Sequence, residues 1–181
     1  MHDVFIGIGS NIDPAANLRV ALDALGERFD LALLSSVYRS PAHGFTGDDF
    51  LNMVVGFRSK ASPEIVEQDL YRIEYSGGRQ RRARELSSRT LDLDLLLYGM
   101  LVDPTLKLPR DDTLQYPFVL APFAEIAPEV VHPLSGSTMR AAWEEMSATN
   151  VSLTKLGGVG CLGSLLATDL LPTDASAAVD G

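Results

Sequence analysis

Two acids stand one residue apart in the stretch Arg89-Thr90-Leu91-Asp92-Leu93-Asp94-Leu95. In an extended chain successive side chains point to opposite faces, so Asp92 and Asp94 project together while Leu91, Leu93 and Leu95 turn to the core. Two carboxylates roughly 7 Å apart on one strand repel each other unless a cation or an arginine sits between them. Mg²⁺ takes carboxylate and phosphate oxygens and keeps several waters, so the pair suits a bridge from protein to metal to nucleotide. A half-exposed strand with a solvated polar face accounts for the same spacing equally well.

Just ahead of the acids, Arg79, Arg81, Arg82, Arg84 and Arg89 place five of the fifteen cations within eleven residues. Guanidinium forks hold phosphate oxygens and stay charged at any working pH. Phosphoryl-type transfer asks a protein mainly for alignment and for positive charge around the moving group. A glycine-anchored loop carrying these arginines can close over a nucleotide; a solvated loop and a small RNA-binding patch are the alternatives.

Phe50 and Asn52 flank Leu51 and so share a face. A ring beside a carboxamide suits a flat heterocycle, one stacking and the other reading donor and acceptor edges. His2, His43 and His132 lack metal-ligand spacing, which argues against zinc. His43, in the loop before Phe50, is the one placed to line a pocket. Gly7-Ile8-Gly9-Ser10-Asn11 has neither the third glycine of a dinucleotide fingerprint nor the lysine-hydroxyl pair of a P-loop. Gly9 to Asn11 reads instead as a tight turn between a strand and a helix.

The elements that must position these groups follow from hydrophobic period. Strands are expected over Val4–Ile8, Leu31–Arg39, Phe50–Phe57 and Thr90–Tyr98. Helices are expected over Asn17–Leu25, closed by Gly26, and from Ser62-Pro63-Glu64 to about Tyr75. Further helices are expected over Phe118–Ile126 and Met139–Met146. The order β-α-β-β-α-β predicts an α+β fold, a ferredoxin-like core whose antiparallel sheet sits in an α/β/α sandwich. A domain over 1–155 is expected, with a Gly/Ala-rich tail over 156–181 that is partly disordered apart from a short helix at 162–171.

Composition narrows the function further. The 181 residues are 46% hydrophobic and 22% charged, in the range of one globular domain. A net charge of −9 disfavours a broad surface for nucleic acid or anionic lipid. Cys161 is the lone cysteine, so no intrachain disulfide forms and a reducing compartment is the simpler reading. No signal peptide or membrane-length apolar run is visible. A cytoplasmic protein is expected.

Together these segments resemble the 6-hydroxymethyl-7,8-dihydropterin pyrophosphokinase family. The resemblance is carried by Ile8-Gly9-Ser10-Asn11, Ser36-Val37-Tyr38-Arg39-Ser40-Pro41, Phe50-Leu51-Asn52, Arg72-Ile73-Glu74 and Gly78-Arg79-Gln80-Arg81-Arg82. It continues through Arg89-Thr90-Leu91-Asp92-Leu93-Asp94, Phe118-Val119-Leu120-Ala121-Pro122-Phe123 and Glu125-Ile126-Ala127-Pro128-Glu129. It implies ATP as donor, two Mg²⁺ ions on Asp92 and Asp94, attack by the pterin hydroxymethyl oxygen on the β-phosphorus, and release of AMP. Arg79 and Arg89 match the arginines that stabilise the transferring charge. Glu74, Arg81, Arg82 and Leu95 match the nucleotide side, joined by Arg110. Phe50 and Phe118 match the two rings around the pterin, Asn52 the residue reading its edge, and Ser40, Pro41 and His43 the loop lining the same pocket. The implied partners are these small molecules, with no nucleic acid, no membrane, and a monomer or weak dimer as the assembly.

Several positions depart from the family pattern. Leu86-Ser87-Ser88 replaces a usual Trp-Gly-Pro, Glu85 stands where a basic residue is common, and Arg110 follows Pro109 where histidine is usual. Tyr116, followed by Pro117, lies where an arginine often contacts nucleotide. These changes cluster on ATP binding and loop closure, predicting an active enzyme with weaker ATP affinity or slower turnover; Arg110 offsets part of the loss. Two other readings stay open at this point. One is a divergent paralogue that binds a pterin or pyrophosphorylates another alcohol; the other is an RNA-binding module on a ferredoxin-like sheet.

Overall fold

A computed structural model describes residues 1–76 and 91–169. The expected strand at Val4–Ile8 is the middle of β1 (His2–Ser10), and the helix after it is α1 (Pro14–Arg28). Gly9 and Ser10 therefore belong to the strand, and the reversal comes later, at Asp13, whose left-handed backbone (φ 42°) leads into Pro14. Gly26 does not end α1. The buried Leu25 and the pairing of Arg28 Nε with Asp69 Oδ2 at 2.6 Å hold one more turn in place.

The single strand expected over Leu31–Arg39 is two, β2 (Leu31–Leu34) and β3 (Val37–Ser40), both laid against β4 (Phe50–Ser59). Ser35 and Ser36 interrupt them, and both are buried. Ser35 Oγ accepts from Val54 N at 2.9 Å, so a side chain stands in where the ladder lapses. After β4 comes α2 (Pro63–Ser76), whose first bonds run from Ile65 N and Val66 N to the Ser62 carbonyl. β5 (Asp92–Tyr98) follows, then the short α3 (Asp112–Gln115), α4 (Pro117–Ile126) and α5 (Met139–Ser147).

The sheet runs β5-β1-β4-β3, with β2 also on β4, and every pairing is antiparallel. This is the ferredoxin-like βαββαβ order, with helices on both faces. Alternate residues of β1 divide the molecule. Val4, Ile6 and Ile8 pack with Leu18, Ala21 and Leu25 of α1 and Val66 and Leu70 of α2. Phe5 packs on the other face with Leu120, Phe123 and Ala124 of α4 and Met139 of α5.

The chain does not leave the domain at residue 155. β6 (Thr154–Gly157) adds to β3, and α6 (Cys161–Asp169) follows it. Leu162 is buried in the same core as α1 and α2. β6 and α6 thus lie beyond the boundary expected at residue 155, α6 close to the short helix expected over 162–171; residues 170–181 lie outside the described residues. Among the described residues, no helix is long and apolar enough to cross a membrane.

Candidate active site

The face of the sheet that carries α4 and α5 does not fill completely with side chains. Pairing sets Asp92 opposite Gly9, and Gly9 opposite Asn52; one step along, Asp94 faces Gly7, and Gly7 faces Val54. Directly paired residues share a face, so the two acids and Asn52 flank a strand that offers only bare glycine between them. At two strand spacings, the carboxylates and the carboxamide stand roughly 10 Å apart across this floor.

Above it is a cavity of about 200 Å³ lined by Gly7, Gly9, Phe50, Asn52, Asp92 and Asp94, with walls from the α3–α4 junction and the loop after β3. Ser40, Pro41, His43 and Phe118 line it as well, so every residue assigned to the pterin side is brought to one space. Asn52 Nδ2 donates to Ser40 Oγ at 3.0 Å. Its Oδ1 lies over the floor, 3.3 Å from where a Cβ on Gly9 would stand. The loop is tied to the end of β1 by Asn11 Nδ2 donating to the Asp48 carbonyl at 3.2 Å.

Aromatic rings make up two of the walls. Tyr116 stacks on Phe118, their centroids 5.1 Å apart and their planes 8° from parallel, and His43 tilts against Tyr116 at 4.9 Å. Phe45 meets Phe50 edge-on at 6.2 Å. Phe45 and Asp112 also line the cavity, and neither was singled out from the sequence. The signal for Phe45 was an aromatic in the same loop as His43; the signal for Asp112 was an acid close to Arg110.

At the acidic end, Arg110 supplies the cation that paired aspartates require. Its Nη2 is 2.8 Å from Asp94 Oδ1 and its Nε 3.2 Å from Asp112 Oδ2. Burial pushes the Asp94 carboxyl up to about 7; the charge of Asp92 adds to the rise and Arg110 opposes it. Burial also works against the charge on Arg110, but Asp94 and Asp112 more than offset that.

Two nucleotide-side assignments do not reach this cavity. Leu95 points to the opposite face and is buried with α1 and α2, because the strand period that aims Asp94 at the cavity turns its neighbour away. Glu74 is buried, and its Oε1 accepts the Leu93 backbone N–H at 2.7 Å, fastening α2 to β5. Arg79, Arg81, Arg82 and Arg89 fall outside the described residues, in the segment that joins α2 to β5.

Whether the site suits a metal is a question of donor chemistry. Asp92 and Asp94 offer hard carboxylate oxygens on one face, and Asp94 already holds a cationic group. Among the described residues no three acids, histidines or cysteines gather to cage an ion. Two carboxylates, with phosphate and water completing the shell, match the habit of Mg²⁺. The donor set fits.

Residues 5–128 match the family described as 7,8-dihydro-6-hydroxymethylpterin-pyrophosphokinase (HPPK). A Synechocystis protein named 2-amino-4-hydroxy-6-hydroxymethyldihydropteridine pyrophosphokinase is 39% identical over 83% of this chain and 79% of its own length. A Methylorubrum extorquens protein of the same name is 34% identical over 83% of this chain and 98% of its own. Among solved structures, Plasmodium falciparum HPPK-DHPS superposes with a TM-score of 0.61 at 12% identity, over 82% of this chain. This chain spans 44% of that longer one, and the likeness bears on the fold alone.

Proposed function

The chain belongs to the 7,8-dihydro-6-hydroxymethylpterin-pyrophosphokinase family, and from that premise we propose how its cavity divides the work of the reaction. The enzyme transfers pyrophosphate from ATP to the hydroxymethyl group of 6-hydroxymethyl-7,8-dihydropterin and releases AMP, a step of folate biosynthesis. The hydroxymethyl oxygen forms a bond to the β-phosphorus as the bond from that phosphorus to the AMP oxygen breaks, and the hydroxyl proton is lost.

Phe50 and Phe118 hold the pterin ring between them. Asn52 reads its edge; with Nδ2 committed to Ser40, Oδ1 is left to accept from the amino and ring N–H donors of the pterin. Ser40, Pro41 and His43 close the side of the slot. Stacking and an oriented amide fix the angle at which the hydroxymethyl group meets the triphosphate, and orientation is most of what this reaction asks of a protein.

Asp92 and Asp94 would hold the Mg²⁺ that accompanies ATP, two ions in our reading, which when bound neutralises phosphate charge and aligns the triphosphate. Arg79 and Arg89 stabilise the charge of the group in transfer, while Arg81, Arg82 and Arg110 take the nucleotide phosphates. Glu74 supports the strand that carries both aspartates. The departures at Glu85, at Leu86-Ser87-Ser88 and at Tyr116 fall on the nucleotide side and weaken ATP affinity or slow turnover.

One observation carries this reading: the acids, the carboxamide and Phe50 open into one cavity, across a strand whose facing positions are glycines. Incubation with ATP, Mg²⁺ and the pterin should yield AMP and pterin pyrophosphate by chromatography; ADP instead would mean ordinary kinase chemistry. Asp94→Ala should lower kcat by at least about 10²-fold and leave pterin binding intact. Unchanged turnover in that variant removes Asp94 from the metal site.

A further inference from the structure

Arg110 is anchored before it is aimed. Its backbone N–H donates to the Leu96 carbonyl at 2.9 Å, and its own carbonyl accepts from Thr113 N at 3.1 Å, so the main chain is fixed beside β5. From there the guanidinium is held at two points, Nη2 on Asp94 Oδ1 and Nε on Asp112 Oδ2. The second contact orients the first: Asp112 takes Nε and leaves Nη2 to Asp94. Among the described residues lining the cavity, Arg110 is the one arginine or lysine, set against Asp92, Asp94 and Asp112.

We propose that Arg110 is a resident cation that holds Asp94 against free divalent metal and yields it only when metal arrives with nucleotide phosphate. The proposal rests on the reading of Asp94 as a metal ligand. A free ion approaching Asp94 meets a guanidinium already paired with that carboxylate, and displacing that group leaves a half-buried positive charge beside a doubly charged ion. A metal–nucleotide complex changes the balance, because its phosphate oxygens offer the same fork a better acceptor than a single carboxylate. Arg110 then moves from carboxylate to phosphate, and Asp94 is released to hold the ion. Metal and nucleotide bind with positive coupling, equal in both directions. Asp112 acts as a positioning residue, setting how firmly Arg110 is held.

The test is Mn²⁺ binding, followed by the paramagnetic resonance signal of the free ion, with and without the non-transferable nucleotide α,β-methylene-ATP. Arg110→Gln should bind Mn²⁺ alone about tenfold or more tightly than the wild-type protein, the scale of one charged hydrogen bond. It should also lose a similar factor from the coupling between Mn²⁺ and nucleotide. Arg110→Lys, which keeps the charge, should stay near wild type for Mn²⁺ alone, and Asp112→Asn should fall between. No gain in free Mn²⁺ affinity in Arg110→Gln, or coupling as large as wild type in that variant, overturns the proposal. Asp94→Asn separates the two levels. Loss of Mn²⁺–nucleotide binding there, with no gain in Arg110→Gln, sinks the resident cation alone; unchanged binding in Asp94→Asn sinks the metal-ligand reading beneath it.

Discussion

Gly9 matters for what it leaves out. A methyl group there would stand 3.3 Å from Asn52 Oδ1 and 4.0 Å from Phe50 Cδ1, inside the space we propose for the pterin edge. Gly9→Ala is therefore expected to weaken pterin binding on the order of tenfold while leaving the melting temperature within a few degrees; a fluorescence titration beside a thermal scan checks both. The shared face of Asp92 and Asp94, and that of Phe50 and Asn52, could be read from a period of two. The role of Gly7 and Gly9 could not, because it depends on which strands lie to either side, a matter of pairing between distant segments. The Arg110–Asp94 contact was hidden for the same reason, although the need for some cation beside the acids was visible in their spacing.

Among the elements, α4 is held by a polar anchor near its end. Glu125 accepts from Ser36 N at 3.1 Å, Ser36 Oγ at 2.8 Å, Tyr38 Oη at 2.9 Å and Lys155 Nζ at 2.9 Å. The break between β2 and β3 is thus a socket: Ser36 N–H turns to the helix that carries Phe118. Burial alone would raise the Glu125 carboxyl, but the hydrogen bonds from Lys155, Ser36 and Tyr38 outweigh it and hold it below the ordinary range. A depressed carboxylate contributes stability that is complete above the unfolded-chain pKa and is lost as pH falls through the folded one. Glu125→Gln should cost about 1–3 kcal/mol at neutral pH, and the gap to wild type should narrow as pH drops below the usual carboxylate range. Chemical denaturation at several pH values measures this. Hydrophobic period located α4 but said nothing of its socket, since two serines in an apolar run leave the strand pattern almost intact.

At the scale of the whole molecule, the glycines after Leu156 masked a continuation that the core requires. Gly157 adopts φ 131°, a conformation other residues rarely take, and the chain then turns into α6. Composition read these glycines as the end of the domain, whereas Leu162 completes the layer over α1. Leu162→Ala should destabilise the fold by ~2–5 kcal/mol, a fall in melting temperature of roughly 5–15 °C, with kcat little changed. That last expectation follows from the two-sided sheet. The groups proposed for the reaction crowd one side, and the other is filled mostly by apolar side chains. Heat tolerance and catalytic proficiency can therefore drift, or be engineered, with little interference: substitutions on opposite sides should combine additively, and a hardier version of this enzyme can be sought among residues that never meet its substrates.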